Sequence, residues 1–388
     1  MENAAGTPGL PGNPPARHSG ADRIPSLDGL RAISIGAVLF AHASKTGGFP
    51  QAGTSRLSMF LDGKLGVRVF FVISGFLITS LLLKEFSKTG RVSLKAFYQR
   101  RALRILPVYY CYILAVGLLS WLGLRIIPPV NFISAGVFAT DLWGEWYAPQ
   151  YWPLAHTWSL SIEEQFYLTW PALLAFLGPR FGGRLWIPFL LILAPAMRWW
   201  MWPQPTMDHL FVAQGDAIAM GCLLALLRSG GTWDLPRVFA FHPGLCRFIA
   251  VGLIYSNICI AAMLHHYNLP YPTHLALVLM PSLQCIMIAY LIGSFVTHRS
   301  GWAYWALNLP VVQWVGRLSY SLYIWQQLVL VPVGTPVFPG HWSGAAWCTR
   351  FPQNLGVVVA LACLSYYWLE KPLLAWRARL ARSTAAGN

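Results

Sequence analysis

Two stretches of this chain, Ile105–Leu124 and Leu275–Val296, run for twenty residues or more without a single charged side chain. Each is long enough as a helix to cross about 30 Å of hydrocarbon. In lipid every backbone N–H and C=O must find an internal partner, so a spanning segment of this kind folds as a helix. A large soluble domain is thereby excluded. The rest of the composition agrees. Of 388 residues, 56% are hydrophobic and 11% charged, against about 25% charged in ordinary soluble domains. The 19 tryptophans, 16 tyrosines and 21 phenylalanines suit aromatic belts at two membrane interfaces.

The fold class that follows is all-α, a polytopic integral membrane protein with about ten transmembrane helices. The candidate spans lie near 27–44, 66–83, 104–124, 158–178, 184–201, 209–227, 247–265, 274–296, 311–332 and 354–374. Gly75, Pro188, Pro195 and Pro281 fall inside them and are read as interruptions. The net charge of +15 is concentrated in alternate loops. Lys84, Lys88, Arg91, Lys95, Arg100 and Arg101 follow the second span; Arg180 and Arg184 follow the fourth. Arg228, Arg237 and Arg247 follow the sixth, Arg299 the eighth, and Arg377, Arg379 and Arg382 the last. This alternation predicts both termini in the cytoplasm and an even number of spans in the cell's inner (plasma) membrane. It also accounts for the basic charge without nucleic acid, which is not expected as a partner.

Residues 1–23 are rich in Gly and Pro and read as a disordered tail, without the basic region and apolar core of a signal peptide. Residues 24–376 form one transmembrane domain, and 377–388 a cytoplasmic C-terminal tail. No soluble appended domain is expected. The seven cysteines form no CxxC pair, and five of them lie in apolar segments, so no disulfide framework is read. There is no internal repeat.

Ionisable residues inside such spans are costly and are functional candidates by default. The first span, LDGLRAISIGAVLFAHA, carries Arg31 and His42. Eleven residues is close to three helical turns, which puts both on one face about 16 Å apart. Snorkelling of the arginine and a histidine satisfied by a neighbouring helix is the alternative. The third span opens with YQRRALRILP, where Arg101 and Arg104 share a face. They read either as positive-inside residues or as a guanidinium pair for phosphates. The fourth opens with HTWSLSIEEQFYL, with Ser159 and Glu163 four apart. A helix-dipole role explains one carboxylate there; a general-base arrangement with His42 at similar depth explains the pair better. In GKLGVRVFFVISGFLIT, Gly66, Ser74 and Gly75 permit close helix packing, and a break at Gly75 would open a cavity. P-loop, HExxH, CxxC and HxxxxD patterns are absent, and no metal is expected.

These segments together resemble the integral-membrane acyltransferase family 3, from about Ile24 to Pro372. LDGLRAISIGAVLFAHA is similar to its first-helix motif and GVRVFFVISGFLIT to its second. Arg101 and Arg104 match its RxxR motif, and Ser159 and Glu163 its SxxxE positions. GRLSYSLYIW and YYWLEKP are similar to its last two helices. The resemblance implies O-acylation of a carbohydrate or glycosylated acceptor from acyl-CoA, with acetyl as the default group. It implies that Arg101 and Arg104 hold CoA phosphates and His42 is the general base. Glu163 then supports His42, Ser159 donates a hydrogen bond, and Arg31 contacts the donor or a structural carboxylate. Direct transfer needs no acyl-enzyme, and an acyl-histidine route stays open. Three departures stand out: Gln326 replaces a frequent histidine, Gln214 replaces an arginine ahead of Asp216 and makes an ionic contact there doubtful, and an appended esterase-like domain is not expected. The rival reading is a transporter or binder of lipid-linked glycan, using Arg31, His42 and Glu163 as a polar track.

Overall fold

The computed structural model describes residues 24–50, 61–124, 127–143, 152–201, 209–229, 242–267, 270–335 and 347–376. The two tails read from sequence, 1–23 and 377–388, lie outside the described residues. The chain is built from helices, and no strand occurs among the described residues.

In chain order they are α1 (Pro25–Ala43), α2 (Gly63–Thr89), α3 (Leu94–Trp121), α4 (Pro129–Gly136), α5 (Trp152–Ala155) and α6 (Thr157–Trp200). Next come α7 (Phe211–Ser229), α8 (Pro243–His266), α9 (Pro270–Thr297), α10 (Trp302–Leu307), α11 (Pro310–Val329) and α12 (Gln353–Ser365). A π-helical turn, Tyr366–Glu370, continues α12. Local chemistry sets the ends. Asp62 caps α2 by accepting from the Lys64 N–H, and Gly90 closes it at φ 70°, a conformation that glycine adopts without strain. Ser93 caps α3 through the Ala96 N–H.

All ten segments read from the sequence fall on helices. Six are long and apolar enough to cross a membrane: Gly63–Thr89, Leu94–Trp121, Phe211–Ser229, Pro243–Leu264, Pro272–Thr297 and Gln353–Trp376. The fourth and fifth segments are one 44-residue run bent at Gly178, where φ 75° and ψ 160° leave the helical region just ahead of Pro179. The interruptions read from sequence are corrected here. Gly75, Pro188, Pro195 and Pro281 all sit within helices that continue through them.

The close packing read for Gly75 is made. A Cβ on Gly75 would strike the Ile218 carbonyl of α7, and a Cβ on Gly221 of α7 would strike the Val72 carbonyl of α2. Two glycines thus let these backbones touch, as small residues do where helices associate in lipid. Around this crossing lie the largest fully buried side chains, among them Phe71, Phe76, Phe166, Trp170, Tyr109 and Tyr112. Trp170 is anchored by its indole N–H, which donates to Thr79 at 2.9 Å. The outer surface is the reverse of a soluble protein's, with Trp121 at 81%, Phe176 at 81% and Phe248 at 76% exposure. Apolar exposure on this scale belongs against lipid.

A buried polar network ties α6, α7 and α9 together. Arg198 donates to Asp216 at 2.6 Å and to Ser282 at 2.7 Å, and Ser282 donates to Asp216 at 2.6 Å. The ionic contact that Gln214 put in doubt is therefore made, with Arg198 as the cation. Beside it Arg68 of α2 donates to Gln284 at 2.7 Å, and Gln284 to Asn257 of α8 at 3.1 Å.

Candidate functional site

Five helices converge on a cavity of about 750 Å³. Arg31 comes from α1, Phe71 and Ser74 from α2, and Arg101 and Arg104 from α3. Ser159, Glu163 and Tyr167 come from α6, and Ser319, Tyr320 and Tyr323 from α11. Five of the six site residues read from sequence are in this lining. The helical period explains it: positions three and four apart fall on one face, so RxxR and SxxxE each turn two side chains the same way.

Glu163 is the carboxylate within the lining. It accepts from the Tyr167 hydroxyl at 3.2 Å and lies in electrostatic reach of Arg31, Arg101 and Arg104. Three guanidinium groups around one carboxylate leave the cavity positive, and in a medium of low dielectric such a surplus attracts an anion strongly. Arg31 also faces Asp28 at 3.9 Å, so it touches the cavity and a carboxylate together. The Arg101 guanidinium lies 5.3 Å over the Tyr167 ring and 5.8 Å over Phe97, which holds a planar cation in place. Tyr167 and Ser74 hydroxyls are 2.6 Å apart.

A second cavity, of about 1000 Å³, opens where α2 ends and α3 begins. Lys84, Lys88, Arg100, Arg101 and Arg104 line it, with Glu85 as its acid. Glu85 is engaged by Arg100 at 3.1 Å and accepts from the Ser93 N–H at 2.9 Å. Arg101 and Arg104 belong to both cavities and stand at their junction.

His42 does not appear in the lining of the first cavity. It sits at the end of α1, where its Nδ1 is 2.9 Å from Oε1 of Gln326 on α11. The hydrogen-bonding partner seen on the imidazole is thus Gln326, while Glu163 is engaged with Tyr167. The next residue, Gln327, holds a second histidine. Its Oε1 accepts from the His156 backbone N–H at 3.0 Å and lies 3.0 Å from His156 Nδ1. Ser159 is part of the same knot: its hydroxyl is 2.6 Å from that of Tyr323 and donates to the His156 carbonyl at 3.3 Å. Among the described residues no cluster of three His, Cys, Asp or Glu could hold a metal ion.

Sequence reasoning assigned no role to Tyr167, Tyr320 or Tyr323. All three lie in segments it singled out. The available signal was spacing, since Tyr167 is four residues after Glu163 and Tyr320 and Tyr323 are three apart. It also missed Glu370, which is buried after α12 and accepts from Ser321 at 3.2 Å, within reach of Arg104 and Arg31.

The described residues thus form an all-helical fold with apolar helices long enough to cross a membrane and a cavity lined by three arginines, a carboxylate and hydroxyls. Residues 24–368 match an acyltransferase domain, and the chain belongs to the acyltransferase 3 family. Among its relatives is a Staphylococcus aureus (strain COL) protein named "Putative O-acetyltransferase SACOL0978", 31% identical over 382 residues. The match covers 90% of this chain and 57% of that protein. Peptidoglycan O-acetyltransferase OatA of Listeria monocytogenes is 28% identical over 377 residues, covering 90% of this chain and 56% of OatA. The chain therefore spans a little more than half the length of the curated relatives it matches. No solved structure matches it.

Proposed function

We propose that this chain is an O-acyltransferase of the plasma membrane, moving an acetyl group from cytoplasmic acyl-CoA to a hydroxyl of a cell-envelope carbohydrate. The observation that carries this reading is the pair of cavities joined at Arg101 and Arg104. One is basic and lies between the end of α2 and the start of α3; the other is lined by five helices and contains Glu163, which faces all three motif arginines. An acyl-CoA is a phosphate-rich head on a long thin arm, and this is the polarity that the two chambers offer in sequence. Lys84, Lys88 and Arg100 complement the head, with Arg101 and Arg104 at the neck. The names of the relatives support acetyl as the group and peptidoglycan as one form of acceptor.

In this reading all ten helical segments cross the membrane and both termini are cytoplasmic. His42 then lies toward the outer side, where an envelope sugar arrives. Its Nε2 takes the proton of the acceptor hydroxyl as that oxygen attacks the thioester carbonyl. The C–S bond breaks, CoA leaves as the thiolate, and the proton passes to the leaving sulfur directly or through solvent. The products are an ester and free CoA. Glu163, held by Tyr167, offsets the mutual repulsion of the arginines about the donor. Ser159 supports the channel wall through Tyr323.

The test is CoA-thiol release from acetyl-CoA by protein in nanodiscs with peptidoglycan fragments as acceptor, wild type beside His42→Ala. General-base catalysis contributes about 10²–10⁴-fold, so His42→Ala is expected to lose at least 100-fold while remaining folded. Undiminished release by His42→Ala would overturn the base assignment. Failure of the wild type to bind acetyl-CoA would overturn the donor.

A further inference from the structure

We infer that Gln326 is a positioning residue for His42: its side-chain oxygen accepts the Nδ1 hydrogen and holds the imidazole in the tautomer whose Nε2 bears the lone pair. The inference rests on the reading of His42 as the base.

The geometry is a single short contact, Oε1 to Nδ1 at 2.9 Å, made by a side chain that is fully buried. A neutral imidazole has one N–H and one lone pair, and the partner of one nitrogen decides what the other can do. An oxygen facing Nδ1 can only accept, so Nδ1 carries the hydrogen. The base is then Nε2, at the far side of the ring. Had the contact been a donor, Nε2 would carry the hydrogen and could not receive another.

Two further observations bear on this. The adjacent Gln327 makes the same contact with His156, and there the backbone N–H of His156 also points at Oε1. A backbone N–H only donates, so that amide presents its oxygen toward Nδ1; the parallel stops at that contact, because Nε2 of His156 lies 3.0 Å from the Ile324 carbonyl. Second, Nε2 of Gln326 is buried and has no hydrogen-bond partner among the described residues. The side chain's one protein hydrogen bond seen is therefore the one to His42. A buried amide whose other half goes unsatisfied is costly, which argues that the contact it does make is the reason for its presence. Glutamine also does not titrate, so the contact keeps its direction at every pH, which a histidine at the same position would not guarantee.

Three variants test this in nanodiscs by CoA release. Gln326→Met keeps the length of the side chain and removes the acceptor. Its kcat is expected to fall about 30-fold or more with KM for acetyl-CoA changed less than 2-fold, because the donor cavity does not include position 326. Gln326→Glu keeps an acceptor oxygen toward Nδ1 and exchanges the unpartnered amide nitrogen for a second carboxyl oxygen, which adds an ionisable group at a buried position. It is expected to recover kcat to within 10-fold of wild type. His42→Ala in the same assay separates the two proposals. If His42→Ala is inactive but Gln326→Met turns over normally, or if Gln326→Glu is as impaired as Gln326→Met, the positioning role is overturned while the base survives. If His42→Ala is active, the base reading itself fails. Should Gln326→Met not fold, nitrogen NMR of wild-type protein labelled in histidine, with His42 assigned by its loss in His42→Ala, reads the tautomer directly. A protonated Nδ1 supports the inference and a protonated Nε2 overturns it.

Discussion

Glu163 and Tyr167 stand one turn apart on α6, the phenol of one donating to the carboxylate of the other over 3.2 Å while Arg101 lies against the face of the same ring. The tyrosine therefore touches both charges of the cavity. Tyr167→Phe keeps the ring under Arg101 and removes the hydroxyl that bridges Glu163 and Ser74. A net cost of about 1 kcal/mol in stability and a loss of roughly 10-fold in CoA release are expected. Glu163→Gln is more severe, since it leaves Arg31, Arg101 and Arg104 without their shared carboxylate. Breaking a buried charge arrangement from one side costs about 3–5 kcal/mol, and activity should disappear with it. Thermal melts and turnover of the two variants, side by side, check this. Equal loss of activity in both would assign the Tyr167 hydroxyl to the chemistry itself.

Arg101 and Arg104 occupy both cavities, so their substitution should be felt in donor binding before turnover. Arg104→Ala is expected to raise KM for acetyl-CoA about 10-fold or more, in line with the loss of a charge-assisted contact to phosphate. Lys84→Ala, at the wider basic chamber, should raise it only a few-fold and in a salt-dependent way, because that chamber is open to solvent. Comparing acetyl-CoA with its 3′-dephospho form separates the two sets. A contact to the 3′-phosphate makes the lysine variant indifferent to the dephospho donor, whereas the arginine variant still discriminates.

What was legible in the chain follows from the range over which each signal acts. Spans are local, and all ten segments read from hydropathy are helices. Same-face pairs are local too: Arg101 with Arg104 and Ser159 with Glu163 turn into one cavity because three- and four-residue spacing dictates it. Partnerships between helices are not local. His42 and Gln326 are 284 residues apart, and no periodicity connects them, so Glu163 was the natural partner to write beside an imidazole at equal depth. Arg198 and Asp216 illustrate the same limit. Gln214 made the acid look unpaired because the search for its cation stayed on one helix, whereas the cation comes from the preceding one. At Gly75 the close packing read from the small residues is made, and only the interruption was wrong. Glycine weakens a helix, but here the missing Cβ is what lets the α7 backbone close in, and the packing overrides the propensity.

Asp141 lies in the connection after α4, buried, with Oδ1 accepting from Gln165 at 2.7 Å and Oδ2 without a partner among the described residues. Burial pushes its carboxyl up to about 6, with the Gln165 hydrogen bond opposing part of the effect. The unfolded chain loses this proton near pH 4, so between about 4 and 6 the folded protein holds a proton that the unfolded one has released. Stability from this group therefore falls as pH rises through that window and is lowest above it. Asp141→Asn removes the charge but keeps an acceptor for Gln165. It is expected to raise the melting temperature at pH 7.5 and to leave it unchanged at pH 4. Melts across pH 4–8 in detergent check this, and a variant less stable than wild type at pH 7.5 would contradict it.

The Arg198–Asp216 pair gives the sharpest test of the fold, because it joins α6 to α7 and has no place in the proposed chemistry. Both side chains are almost fully buried, at 3% and 1%, and Ser282 completes the triangle from α9. Removing one charge strands the other, at a cost of about 3–5 kcal/mol. Arg198→Met and Asp216→Leu are each expected to melt well below wild type, with Arg198→Met the worse of the two. It leaves a carboxylate that only the Ser282 hydroxyl still serves, whereas Arg198 in the other variant keeps the Ala213 carbonyl at 3.1 Å and Ser282. The double variant should regain stability relative to either single one, since replacing a buried ion pair by apolar side chains of similar volume is often neutral or stabilising. Additive losses in the double variant would mean that the two residues act independently, and the 2.6 Å contact would not be the bond that joins these helices.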